Sequence, residues 1–512
     1  MATSIKDIEN KLWDSANALR GNLSAEEYMH VVIGVLSLKH ISDRYKKAIK
    51  KLENDGFSSI EQAGSVEDFY HNYHAFLVDK QASWEEVGKF ANSSNIGEKL
   101  DEAFIKLEKD NPMLRGIFNK NYNREGLDQK RLGGVIRAFS NEDFSDDSEE
   151  DLIGRVYEYF LGKFFKQRGQ TGGEFYTPDS IVKLMVNVLK PLKGTIYDPA
   201  CGTGGILVQS KRYIEEHKGD PNKITVYGQE FNNTTWKLAK LNLILNGFSL
   251  NDAGNDLVLG ARSADTFTDD QHRNQLFDFV MANPPFNMSQ WGYDQLLDDS
   301  RWKWGMPPKG NANYAWISHM ISKLNAIGQA AVVLANGSLS SAQKDELAIR
   351  KDLVENNLVE AIVELPDKLF YTTQIPACIW FFNKNKQSDD VLMVASSAIK
   401  GNMLGKTQRE LTHDDIERIG KLVEKHQEGE KIEELGVAKC VTKSEFGDND
   451  YSFVPGRYVG SAEIVIDKEG IKQEIQVLAN DLDDLLQEFN SLVPNVKEAI
   501  NKILNEEESD ER

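Results

Sequence analysis

The stretch Thr195-Ile196-Tyr197-Asp198-Pro199-Ala200-Cys201-Gly202-Thr203-Gly204-Gly205 opens as a short apolar run, closes on an aspartate and breaks into a glycine-rich turn. A helical pattern, Ile206–Tyr213, follows at once. A strand that hands over to a helix through such a turn is the repeating unit of a doubly wound sheet. The same rhythm continues outward. Further candidate strands are Thr225–Glu230, Leu257–Ala261, Phe277–Ala282, Ala330–Ala335, Val359–Glu364 and Ala377–Phe382. Most are apolar without alternation, as strands covered on both faces are. Helices stand between them, such as Asn233–Asn246, which stops at Gly247. The expectation is an α/β domain over 151–395 with a doubly wound, mostly parallel, seven-stranded sheet.

The flanks read differently. Residues 1–150 are helical in pattern. Ser24-Ala25-Glu26-Glu27 suits a capping box, and Tyr28, Val31, Val32, Val35, Leu38, Ile41 and Tyr45 then recur at helical spacing. Helical stretches follow at 98–108 and 128–139. Glu142–Asp151 holds seven acids and no base, which marks a solvated boundary. Residues 396–473 form a charged extension without a chemical motif. From 474 to 512 the tail is helical. Its apolar residues Leu478, Leu482, Leu485, Phe489, Leu492, Val496, Ile500 and Ile503 are spaced by threes and fours, and Pro494 divides it.

A chain of 512 residues with 40% hydrophobic and 27% charged residues has the balance of a multidomain globular protein. No apolar run is long enough to span a bilayer. Met1–Asp7 leads into a polar helical pattern rather than a signal-peptide core, so a cytoplasmic location without membrane contact is expected. Cys201, Cys378 and Cys440 are odd in number and far apart, which supports neither a disulfide framework nor a zinc site. The net charge of −20 is unusual for a chain that would grip a polyanion alone. Either a partner supplies the basic surface, or the acidity serves only solubility.

Four segments carry chemistry. Asp198–Gly205 can bring the backbone close to a ligand through Gly202, Thr203, Gly204 and Gly205, although it lacks the G-x-G-x-x-G spacing of dinucleotide folds. Glu230 ends the next strand, where a carboxylate can accept from both ribose hydroxyls of a nucleoside. Asp265 follows the third expected strand; it either faces a cofactor base or caps the next segment. Asn283-Pro284-Pro285-Phe286 follows the fourth. The Asn283 carboxamide and the Pro284 carbonyl are acceptors, the two prolines stiffen the backbone, and Phe286 offers a flat face. Together they suit a planar amine. Gly172-Gly173-Glu174-Phe175-Tyr176-Thr177-Pro178-Asp179 precedes the first strand; Thr177 suits an N-cap and Pro178 the first helical position.

In this order the segments Glu174–Pro178, Asp198–Gly205 and Asn283–Phe286 resemble the gamma class of DNA adenine-N6 methyltransferases. With the helical N-terminal region, the run Asp151–Phe160 and Asn311–Ile317, the chain is similar to the methylation subunit of type I restriction-modification systems. The resemblance implies S-adenosylmethionine held by Glu174, Phe175, Tyr176, Thr177, Pro178 and Asp179, by Thr203–Gly205 and by Glu230. It implies a flipped-out adenine methylated at Asn283–Phe286. It also implies DNA, a specificity subunit that sets the target, two methylation subunits per specificity subunit, and a restriction subunit as partners. Glu174 departs from relatives that carry Gln. The same motif would also serve another amine, such as an RNA base or a protein glutamine. Cys201 has no role in transfer to an amine, and His319 suits packing. Trp302-Lys303-Trp304 suits either DNA contact or loop packing.

Overall fold

The computed structural model describes residues 12–14, 16–17, 23–140, 159–160, 162–164, 177–248, 258–370, 375–404, 408–460 and scattered helical positions between 476 and 494. It divides into two compact units, Met1–Gly460 and Ser461–Arg512.

The first unit begins with helix α1 (Ala25–Asn54). Its capping box forms as the sequence predicts: the Ser24 hydroxyl accepts from the Glu27 N–H at 3.2 Å, and Glu27 accepts from the Ser24 N–H at 3.0 Å. Tyr28, Val31, Val32, Val35, Leu38 and Ile41 are all buried. Helices α2 (Val66–Tyr73), α3 (Ile96–Asp110) and α4 (Gln129–Ser140) are the longer helices that follow among the described residues of this region. It shares one apolar core with the sheet that follows. The Tyr70 hydroxyl donates to the Phe248 carbonyl at 2.8 Å, tying the two together.

The sheet is built from β1 (Gly194–Asp198), β2 (Ile224–Gly228), β3 (Phe277–Ala282), β4 (Leu324–Ala335), β5 (Val359–Glu364), β6 (Ala377–Asn383) and β7 (Val391–Val394). A small ribbon, β8 (Asn402–Met403) with β9 (Arg409–Glu410), stands apart. Then β10 (Glu433–Glu434) and β11 (Ala438–Val441) rejoin the main sheet. Its order is β10-β11-β7-β5-β6-β4-β3-β1-β2. Strands β2, β1, β3 and β4 run parallel, β6 runs against both its neighbours, and β5 and β7 are parallel again.

The sheet therefore has nine strands, where seven were expected. Two causes account for the difference. The segment expected as a strand at Leu257–Ala261 is none over its described part. The Val258 carbonyl accepts from the Gly228 N–H at 2.8 Å, but Gly260 turns the chain away at φ +71°. The added strands β7, β10 and β11 are two to four residues long, too short to register as periodicity.

Helices α5 (Asp179–Leu189), α6 (Gly205–Glu216), α7 (Asn233–Leu245), α8 (Asn313–Ser322) and α9 (Lys344–Glu355) alternate with the strands. Helix α10 (His413–Gln427) lies on α5. Lys190 pairs with Glu424 at 2.6 Å, and Asn187 donates to Glu417 at 3.1 Å. Gly420 lets these helices approach, since a Cβ there would strike Asn187. Residues up to Gly460 thus belong to the same compact unit as the sheet.

In the second unit, the stripe positions 478, 482, 485, 489, 496, 500 and 503 lie outside the described residues. Leu492 is 51% exposed. Among the described residues, no helix is long and apolar enough to cross a membrane.

Candidate active site

A cleft of about 240 Å³ opens at the carboxyl ends of β1, β2 and β3. Ligand sites of open α/β sheets occupy this edge because the loops diverge there. Of the residues expected from sequence, Thr177, Asp179, Asp198, Gly202, Thr203, Gly205, Glu230, Asp265, Asn283 and Pro285 line it. Pro178, Gly204, Pro284 and Phe286 do not. Glu174, Phe175 and Tyr176 lie outside the described residues.

The first wall is the β1–α6 turn. Gly202 and Gly204 take φ of +54° and +82°, which an L side chain rarely adopts. A Cβ at Gly205 would meet only open space, so the cleft reaches the first residue of α6 there. Asp198 is almost fully buried and accepts from the Ala200 N–H at 3.0 Å. Burial pushes its pKa well above the ordinary carboxylate range, and the nearby Glu230 charge pushes the same way.

Glu230 bridges two loops. One oxygen accepts from the Gly202 N–H at 3.0 Å and the other from the Asn232 N–H at 2.7 Å. The carboxylate is thus preset in position at the cleft. Asp265 caps the segment that follows it. Its Oδ1 accepts from the Phe267 and Thr268 N–H groups at 2.8 and 2.9 Å, and the residue still lines the cleft.

The opposite wall is the turn after β3. Asn283 is 7% exposed. Its Nδ2 donates to the Thr177 hydroxyl at 2.9 Å, while its Oδ1 is buried without a partner. The amide is therefore held by its donor end, and an unsatisfied acceptor borders the cleft. Thr177 was expected to cap α5. The helix instead starts at Asp179 with Pro178 in the cap position, which releases the Thr177 hydroxyl for Asn283. Past the tetrapeptide, Asn287 takes φ +55°. Asn313, buried at the start of α8, accepts from the Asn287 N–H and donates to its side-chain oxygen, both at 3.0 Å. This reciprocal pair fixes the loop that carries Pro285. Phe286 stands half-buried and edge-on to Phe370, with ring centroids 5.8 Å apart.

Sequence reasoning missed several lining residues. Phe231, next to Glu230, is 73% exposed at the cleft, and Phe267, Met288, Gln290 and Trp316 are also among its lining residues. The signal for Phe231 was a large apolar residue directly after a strand-end carboxylate. The Trp316 indole N–H is buried without a partner. Burial pushes the Cys201 thiol well up, which leaves it no nucleophilic role. His319 is fully buried against the Arg301 guanidinium, with Nδ1 3.1 Å away, and its pKa is held well below normal by burial. Trp302 and Trp304 are buried and serve packing, while Lys303 stays exposed.

Among the described residues the cleft thus presents carboxylates at Asp179, Asp198, Glu230 and Asp265 and no lysine, arginine or histidine. Such a wall favours a cationic ligand. If the cleft takes the S-adenosylmethionine that the resemblance implies, Glu230→Ala is expected to weaken its binding about tenfold or more, because a charged acceptor and the Gly202 tether are lost together. Calorimetric titration checks this; an unchanged affinity would place the ribose elsewhere.

The N-6 DNA Methylase family matches residues 148–467, and the HsdM N-terminal domain matches residues 8–139. The chain is 41% identical over 386 residues to the type I restriction enzyme HindI methylase subunit of Haemophilus influenzae, covering 73% of this chain and 85% of that one. It is 35% identical to the MjaIX methylase subunit of Methanocaldococcus jannaschii over 97% of this chain and 91% of the relative. The fold resembles the type I restriction-modification methyltransferase subunit of Streptococcus thermophilus, with a TM-score of 0.75 at 24% identity, covering 90% of this chain and all of that one. On this evidence the chain belongs to the N-6 DNA methylase family and is a methylase subunit of the type I restriction-enzyme kind.

Proposed function

We propose that the chain transfers a methyl group from S-adenosylmethionine to the N6 amino group of an adenine flipped out of DNA. It does so in the cytoplasm as the modification subunit of a type I complex. A separate specificity subunit would set the target sequence, with two methylation subunits on each, and a restriction subunit would complete the assembly. The observation that carries the reading is the orphaned Asn283 Oδ1 beside an acid-lined cleft.

The residues fit the cofactor. Glu230 would accept from the ribose hydroxyls, Phe231 would cover an exposed aromatic face, and Asp198 and Asp179 would face its positive groups. When bound, the cofactor supplies an electrophilic methyl group. The rest falls to the chain. Asn283 Oδ1 accepts an N–H of the adenine amine and, with the Pro284 carbonyl, orients the nitrogen lone pair away from the ring plane. As the nitrogen gains the methyl group it becomes cationic, and these acceptors stabilise that charge. The surplus proton then leaves to solvent. Thr177 keeps the amide from rotating its donor end toward the amine.

A base inside a duplex cannot reach Asn283, so extrusion is required. With 2-aminopurine at the target position, the assembled enzyme is expected to raise its fluorescence on binding. Binding without a rise, in a Phe286→Leu variant that removes stacking quench, would rule out flipping.

Asp198 gives a second test. Its raised pKa means that the folded chain holds a proton the unfolded chain has released. Stability therefore falls as pH rises through the window between the ordinary carboxylate pKa and the raised one. A cation in the cleft favours the ionised form, so cofactor binding in that window should expel a proton. Calorimetry in two buffers of different ionisation heat should report this release, and Asp198→Asn should abolish it. Equal heats in both buffers would mean Asp198 does not face the cationic groups.

A further inference from the structure

A second cleft, of about 1120 Å³, opens at the other end of the sheet. Gln275 and Leu276 reach it just before β3, Ser322 and Lys323 just before β4, Leu358 just before β5, and Lys384 just after the antiparallel β6. All mark the amino ends of the parallel strands, opposite Asp198 and Asn283. The two clefts adjoin at Phe267, which lines both, and share no other lining residue.

Its charge contrasts with the chain's net −20. Five cationic and three acidic side chains line it. Four of these cancel in pairs: Arg301 with Asp299 at 2.7 Å and Lys323 with Asp270 at 2.6 Å. Arg273 has no hydrogen bond or ion pair among the described residues. The Lys303 ammonium lies 5.9 Å from the Trp304 ring centre and, among the described residues, pairs with no carboxylate. Among the same residues Lys384 donates to the Leu324 carbonyl alone, at 2.6 Å. Against these three stands the unpaired Asp298. Lys303 and Lys384 are close enough that the charge of the first, with burial, lowers the pKa of the second. Crowding like charges is unfavourable unless an anion joins them. The Trp304 indole N–H in this wall is buried and has no partner.

We propose that this cleft is a second ligand site for a diffusible phosphate ester or polyphosphate of nucleotide size. A guanidinium and two ammonium groups on one cleft wall supply several donors, which suits the several oxygens of phosphate. The volume is ample for a nucleotide. On the proposed function DNA engages at Asn283, at the carboxyl ends of the parallel strands, whereas these cations stand at their amino ends, so a diffusible ligand fits better than the duplex backbone.

The test is titration of the full chain with inorganic tripolyphosphate. Saturable binding is expected, and the double variant R273Q/K303Q should weaken it about tenfold or more. D298N, which removes the opposing charge, should tighten it. Binding of S-adenosylmethionine serves as the fold check; if R273Q/K303Q loses that too, the D298N result decides. No saturable binding, an unaffected R273Q/K303Q, or D298N without tightening would overturn the site. If R273Q/K303Q instead loses affinity for a short DNA duplex while tripolyphosphate binding is unchanged, the cationic groups serve the backbone and the proposal fails.

Discussion

Asn283→Ala is expected to cut methyl transfer to DNA about a hundredfold or more while leaving S-adenosylmethionine binding near normal. The reason lies in how the amide is held. Its Nδ2 is tied to the Thr177 hydroxyl, and its Oδ1 is buried without a partner. A buried unsatisfied acceptor is unfavourable in the folded chain and is relieved when an N–H arrives. Removing the amide therefore does not unfold the site; it removes the interaction that strengthens as the amine becomes cationic. Thr177→Val separates orientation from chemistry. It keeps the acceptor but frees the amide to rotate, so it should lower the rate by a smaller factor than Asn283→Ala. Methyl transfer with the specificity subunit present, alongside cofactor titration, checks both. A near-normal rate for Asn283→Ala would sink the assignment, and equal losses in rate and cofactor affinity would place Asn283 in cofactor binding instead.

The contrast between Asn283 and Phe286 shows what sequence can carry. Asn283, Glu230 and the Gly202 turn were legible because strand ends at the carboxyl edge must converge once the alternation of strand and helix is recognised. The Thr177–Asn283 bond was not. It joins residues 106 apart in the chain and depends on α5 starting two residues after Thr177 rather than one. Phe286 was expected as a stacking face, yet it packs edge-on to Phe370, whose proximity no local pattern reveals. Likewise strand β11, between the edge strand β10 and β7, rests on four residues, Ala438–Val441. Their alignment against β7 is set by tertiary pairing, not by any periodicity of their own.

Truncation after residue 473 is expected to abolish methylation altogether while sparing the fold and cofactor binding. The compact unit that holds the sheet, the cofactor turn and Asn283 ends at Gly460. The described residues that line the cleft all belong to that unit. What it does carry is an apolar stripe at helical spacing, from Leu478 to Ile503, and such a stripe must be covered. Leu492 within it is 51% exposed. On our reading the cover is a helix of the specificity subunit, and an acidic chain gains from a partner that supplies the basic surface DNA requires. Without the tail, the protein should no longer co-purify with that subunit, and DNA would no longer be delivered to an intact active site. Co-expression with the specificity subunit, followed by affinity purification, cofactor titration and methyl transfer, reads each step separately. A truncated chain that still assembles and methylates would show that docking lies elsewhere. One that is insoluble or loses S-adenosylmethionine would show that the stripe belongs to this chain's own core.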